Sequence, residues 1–130
     1  MLILFLLFQI TFSNQFKCKE TIKYYFQSNK INFTGKGEMC DYYSISPFTK
    51  IINSQPTIST IIISSGITYI GQNAFTNIRF VETIDLGEVK EIGQNAFFNS
   101  SLKFVKIPRS VESIYSGAFG NGKTIKSFFR

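Results

Sequence analysis

Four carboxylates, Glu82, Asp85, Glu88 and Glu91, follow one another closely enough to suggest a metal site or a general acid beside a general base. The stretch "GNGK" at 120–123 hints at a loop that cradles phosphate. Two thiols, Cys18 and Cys40, could ligate a soft metal or pair with each other. None of these groups builds a reactive centre. The chain has no histidine, which removes His-based triads, His metal sites and His acid–base catalysis. Without histidine the two thiols also lack the company a zinc site needs. "GNGK" lacks the second half of a Walker motif and reads as a turn. The carboxylates have a structural explanation in register. Glu82 and Lys103 hold equivalent positions in neighbouring copies of a repeat, and so do Asp85 and Lys106. On adjacent parallel strands these would be cross-strand ion pairs worth ~0.2–1 kcal/mol each. No catalytic, metal or cofactor-binding residue is nominated, and a non-catalytic protein is expected.

The repeat that positions these residues is written openly. "IGQNAF" occurs at 70–75 and again at 92–97, and "IYSGAF" follows at 114–119. Ile67, Val89 and Val111 open successive units. Ile70, Ile92 and Ile114, then Ala74, Ala96 and Ala118, then Phe75, Phe97 and Phe119 recur behind them. Apolar triplets such as Leu102, Val105 and Ile107 separate the copies, and Ile58, Ile61 and Ile63 precede the first. The last unit offers Ile125 and Phe128. Each triplet ends in a period-2 step, so its last two side chains share one face of a short strand. The "IG" and "AF" steps are expected in a turn or short helical piece, with the phenylalanines stacked as a ladder between coils. No unit buries this set alone, so neighbours must cover it.

The unit resembles the leucine-rich repeat of the BspA-like (treponemal) type, roughly L-x-x-I-x-I-P-x-S-V-x-x-I-G-x-x-A-F. "LKFVKIPRSVESIYSGAF", from Leu102 to Phe119, is the best match, and "GKGEMCDYYSISPFTKII" is similar to the entry segment of such domains. The position three residues beyond each "AF", characteristically Cys or Asn, is Ile78 and Ser100 here. The expected fold is a leucine-rich-repeat solenoid of short parallel β-strands with short helical turns and an N-terminal β-hairpin cap. The cap is read from "ETIKYYFQ", a half-buried strand with Ile22, Tyr24 and Phe26 on one face, a turn at "SNK" and a second strand at "INF". Pro47 and Pro56 bracket an irregular linker.

The opening "MLILFLLFQITFS" carries no charge before Lys17. It is shorter than the ~20 apolar residues of a membrane-spanning helix and fits the apolar region of a secretory signal. A buried first strand or an uncleaved anchor is the other reading. The domains are then 1–13 signal peptide, 14–57 cap and linker, and 58–130 repeats in about three coils, the last one clipped. In a secreted chain Cys18 and Cys40 are expected to form a disulfide, closing a loop of 40 − 18 = 22 residues. Such a bridge contributes about 3 kcal/mol, and two free buried thiols are the alternative. The sequons Asn32-Phe-Thr and Asn99-Ser-Ser are candidate glycosylation acceptors. The net charge is 14 − 8 = +6, but no run of three basic residues occurs, so nucleic acid is not the expected partner.

Outward strand positions are the candidate binding face: Ile62, Asp85, Phe104, Lys106 and Phe129. The alternative for them is a solvated sheet face. No second apolar stretch reaches membrane length, so a secreted or cell-surface protein without an integral membrane span is expected. The resemblance implies adhesion to another protein, a host or matrix protein among them, and a surface-antigen role. A second function class is a structural element, or a fragment of a longer array, that self-associates through its uncapped C-terminal coil.

Overall fold

The computed structural model describes residues 21–122 and the backbone of a strand at Lys126–Phe129. The described strands are β1 (Lys23–Gln27), β2 (Lys30–Thr34), β3 (Gly37–Glu38), β4 (Thr60–Ile63), β5 (Ile67–Ile70), β6 (Thr83–Asp85), β7 (Glu91–Ile92), β8 (Phe104–Ile107), β9 (Ser113–Ile114) and β10 (Lys126–Phe129). One helix, α1 (Pro47–Asn53), lies between β3 and β4. The strands form two sheets. A six-stranded sheet runs β1-β2-β4-β6-β8-β10 and a four-stranded sheet runs β3-β5-β7-β9. Every pairing is parallel except the β1–β2 hairpin. Each repeat therefore lays one strand on each sheet, beside the same strand of the preceding repeat. The second sheet was not legible beforehand, because β7 and β9 hold two residues each, too few to show alternation.

The core lies between the sheets. Ile31, Ile61, Ile84 and Val105 pair along the larger sheet and are buried, as are Ile67, Ile70 and Ile92 on the smaller and Val89 just before β7. Between them runs the expected phenylalanine ladder. Phe75 and Phe97 stack with ring centroids 5.3 Å apart, and Phe97 and Phe119 also at 5.3 Å. The ladder extends in the other direction through Phe48 of α1, stacked at 6.0 Å on Phe75, and Phe33 of β2, edge-on at 5.3 Å. Ala74, Ala96 and Ala118 are buried beside it. Ile114 departs from expectation: it is 44% exposed, because β9 is the edge strand of its sheet, and Phe119 is only partly buried for the same reason.

The "IGQNAF" hexapeptide now reads residue by residue. Ile enters the core. A Cβ on Gly93 would lie 2.7 Å from Gln72 N and Ile70 O, so only glycine lets this turn settle on the one before it. Asn73 and Asn95 take left-handed conformations, φ 56° and 55°, which asparagine tolerates better than most side chains. The turns are joined by their own backbone ladder: Asn73 N to Gln94 O, Phe75 N to Ala96 O and Asn77 N to Phe98 O, repeated one unit on by Asn95, Phe97 and Asn99. They are turns and not helical pieces. The helix among the described residues falls where an irregular linker was expected. Ser46 caps α1 by accepting from Thr49 N, and Pro47 starts it. Ser46 also hydrogen-bonds to Ala74 O, Thr49 Oγ1 donates to Thr76 O at 3.0 Å, and Asn53 Nδ2 to Asn77 O at 2.9 Å. The helix thus sits against the first turn where a preceding turn would lie.

The hairpin departs from expectation in its burial. All of β1 is exposed, Tyr24, Tyr25 and Phe26 included, and only Ile22 before it is buried. An edge strand has one neighbour, and Tyr24 covers Phe33 and Phe48 from outside, at 6.0 and 6.5 Å.

Candidate recognition face

Two rows of residues in backbone register cross the six-stranded sheet, alternating with the buried row. One follows Lys30, Thr60, Thr83 and Phe104 into Lys126; the other follows Asn32, Ile62, Asp85 and Lys106 into Phe128. Four of the expected face residues, Ile62, Asp85, Phe104 and Lys106, are brought together here. Phe104 is half exposed, at 50%, and Ile62 is half-buried. Phe129 is not among them: its backbone pairs with Ile107, in the row of buried residues, while Phe128 pairs with Lys106. The strand register of the last unit is thus one residue away from the alignment that placed Phe128 inward and Phe129 outward.

Charge on this face is arranged by register. Lys103 Nζ meets Glu82 Oε1 at 2.5 Å, both side chains half exposed, and this is the salt bridge among the described residues. Thr60 and Thr83 hydrogen-bond between β4 and β6 at 2.9 Å. Asp85 and Lys106 are partners in register but form no ion pair. Asp85 Oδ1 instead accepts from Gly87 N at 2.9 Å, a local turn bond that costs less side-chain entropy than reaching a flexible lysine. The Lys106 ammonium is therefore left unpaired on β8, two residues along from Phe104. Glu88 and Glu91 do not join Glu82 and Asp85. Glu91 lies on the other sheet, where its Oε2 accepts from Tyr115 Oη at 2.9 Å. No group of three metal-ligating side chains occurs among the described residues.

The four-stranded sheet carries a second polar row. Tyr69 Oη and Gln72 N both donate to Asp41 Oδ1 at 2.7 Å. Burial, then the Asp41 hydrogen bond and charge, hold the Tyr69 hydroxyl well above the ordinary tyrosine range, and Glu91 raises Tyr115 in the same way. At the end of the stack, Ile107, Pro108, Val111, Glu112 and Ile114 line a groove of about 340 Å³.

The remaining expectations can be placed. Asn99 is exposed in its turn, but its Nδ2 donates to Asn77 Oδ1 at 2.8 Å and its Oδ1 accepts from Asn121 Nδ2 at 3.2 Å. This asparagine ladder was missed, although the 22-residue recurrence of Asn77, Asn99 and Asn121 was there to find. The other sequon's Asn32 has its Nδ2 buried without a hydrogen-bond partner. Cys40 is buried, and Cys18 lies outside the described residues, as do the N-terminal apolar run and Ile125.

The BspA type leucine rich repeat region matches residues 49–126 in six copies. The chain belongs to this family. Among solved structures, a leucine-rich repeat protein from Eubacterium ventriosum is 22% identical over 87% of this chain and 43% of its own, with a TM-score of 0.39. This BspA-type chain therefore spans less than half the length of that protein. None of the curated proteins matches it. No helix among its described residues is long and apolar enough to cross a membrane.

Proposed function

We propose that this BspA-type chain is a secreted or cell-surface recognition module that binds another protein, a host or matrix protein for instance, and performs no catalysis. The observation that carries the reading is the outer face of the six-stranded sheet, where an exposed aromatic, Phe104, shares β8 with an unspent ammonium, Lys106, and a half-buried Ile62 lies two strands away on β4. Exposed aromatic side chains are what protein interfaces favour, and an unpaired ammonium steers acidic partners. In this reading residues 1–13 are a signal peptide and 14–57 are a cap and linker. Residues 58–130 are a solenoid of repeats. The β1–β2 hairpin ends the larger sheet with an antiparallel strand, which suits a cap. Secretion would suit a Cys18–Cys40 disulfide, and Cys40 is buried and not free. The test is binding to a panel of immobilised extracellular matrix proteins. Wild type should be retained by at least one of them, and the double variant Phe104→Ala, Lys106→Glu should lose that binding while its circular dichroism and melting stay unchanged. Equal retention of the variant, or no retention of wild type, would overturn the reading.

A second reading is end-to-end association. It is favoured by the edge of the four-stranded sheet, where Ile114 is exposed and Val111 and Phe119 are only partly covered. Molar mass that rises with concentration and falls on Ile114→Asp would support it over recognition by a monomer.

A further inference from the structure

We infer that Asn121 is a modification site: the one rung of the asparagine ladder built to deamidate in the folded protein. Five asparagines of the repeat turns take left-handed conformations, Asn73, Asn77, Asn95, Asn99 and Asn121. Deamidation requires the backbone nitrogen of the following residue to attack the side-chain Cγ. A C–N bond forms, Nδ2 leaves as ammonia with the amide proton, and a cyclic succinimide results. Water then opens the ring at either carbonyl to give aspartate or isoaspartate. The attacking residue must be unhindered, and the segment must be free to fold back on itself.

Four of the five sites deny the first condition, and two of them the second as well. Their following residues, Ala74, Ile78, Ala96 and Ser100, are all buried, at 0%, 1%, 0% and 4%. Ala74 N and Ala96 N are in addition already engaged, with Gly71 O and Gly93 O at 3.1 Å each. Asn121 is followed by Gly122, which has no side chain to crowd the attack, and both residues are exposed to water. Among the described residues its tie is the bond from Nδ2 to Asn99 Oδ1, at 3.2 Å the longer of the two in the ladder.

Conversion would be felt structurally. The Asn121 amide donates to Asn99 Oδ1, and a carboxylate there donates nothing and sets negative charge against an acceptor oxygen. Isoaspartate would also add a backbone carbon to the turn that leads from Phe119 toward β10, the last strand of the six-stranded sheet. Asn99 keeps its bond to Asn77, so the change stays in the last unit.

The experiment is incubation of the folded chain at mildly alkaline pH, followed by peptide mass mapping over time, with the urea-unfolded chain run in parallel. The expected result is conversion at Asn121 before any other asparagine, at a rate within about threefold of the unfolded chain, and its suppression by Gly122→Ala. Hydrogen exchange should show Asn121→Asp opening the 116–129 segment and leaving 60–98 unchanged. Retention of Asn121 in the folded chain while the unfolded chain converts would overturn the inference, as would earlier conversion at Asn99 or Asn95. Unchanged exchange in Asn121→Asp would overturn its structural consequence.

Discussion

At the scale of single residues, the stability of the stack rests on a few side chains with no room to vary. Gly93 is one. A methyl group there meets Gln72 N and Ile70 O at 2.7 Å, both backbone atoms that cannot step aside. Gly93→Ala should therefore cost about 1–3 kcal/mol, read as a lower midpoint in urea. Phe97 is another, buried completely and stacked on both sides, so Phe97→Ala should cost about 3–5 kcal/mol. Ser100 works in the opposite direction. It is 4% exposed, and its hydroxyl is buried without a hydrogen-bond partner, at a position where the preceding unit places Ile78. Removing that unpaired group by Ser100→Ala should raise stability by up to about 1 kcal/mol. Much at this scale was legible in the sequence. Identical residues 22 apart must do identical work, and Ile70, Ala74, Phe75 and their first copies are buried as their recurrence implies. Ile114 was not legible, because repetition records a position in the unit and says nothing about whether a further unit covers it. Asp85 was not legible either: register put it opposite Lys106, but a competing local donor, Gly87 N, took its carboxylate.

At the scale of elements, each repeat is fastened to the next by three ladders: strands on the larger sheet, strands on the smaller sheet, and the turns with their asparagines. The third explains why the repeats tolerate strands of only two residues in the smaller sheet. Asn99 is the middle rung, donating to Asn77 and accepting from Asn121. Its left-handed φ of 52° is also one that alanine adopts poorly. Asn99→Ala should consequently destabilise by about 1–3 kcal/mol, whereas Asn99→Gly should recover part of the loss by relieving the backbone. The elements that escaped sequence reading are the short and the singular ones. The helix α1 is not part of the repeated unit, so no repetition announced it, and the prolines at 47 and 56 read equally well as a linker. The burial of β1 was misjudged because alternating aromatic residues look the same on a half-buried strand and on an edge strand whose rings cover a neighbour from outside.

At the scale of the whole molecule, the two sheets differ in character. The smaller one carries tyrosine hydroxyls held by carboxylates, Tyr69 on Asp41 and Tyr115 on Glu91. Both tyrosines are raised from the ordinary value of 10.0, so the folded state favours their neutral forms more than the unfolded state does. That contribution is fully present below pH 10.0 and is lost as pH rises above it toward the folded-state values. Denaturation midpoints should fall above that pH in wild type and fall less steeply in Tyr69→Phe. The larger sheet carries the exposed aromatic and the unspent ammonium on which the proposed recognition rests. Its Lys103–Glu82 bridge is half exposed on both sides and serves the register of the strands more than their stability. The measurement that separates this face from every other surface is hydroxyl-radical footprinting of the chain, with and without a matrix protein that retains it. Recognition through the larger sheet predicts that Phe104 and Ile62 lose labelling on binding, while Tyr69, Tyr115 and Ile114 keep theirs. Undiminished labelling of Phe104, with loss at Ile114 and Tyr115, would contradict the account and move the working surface to the end of the stack.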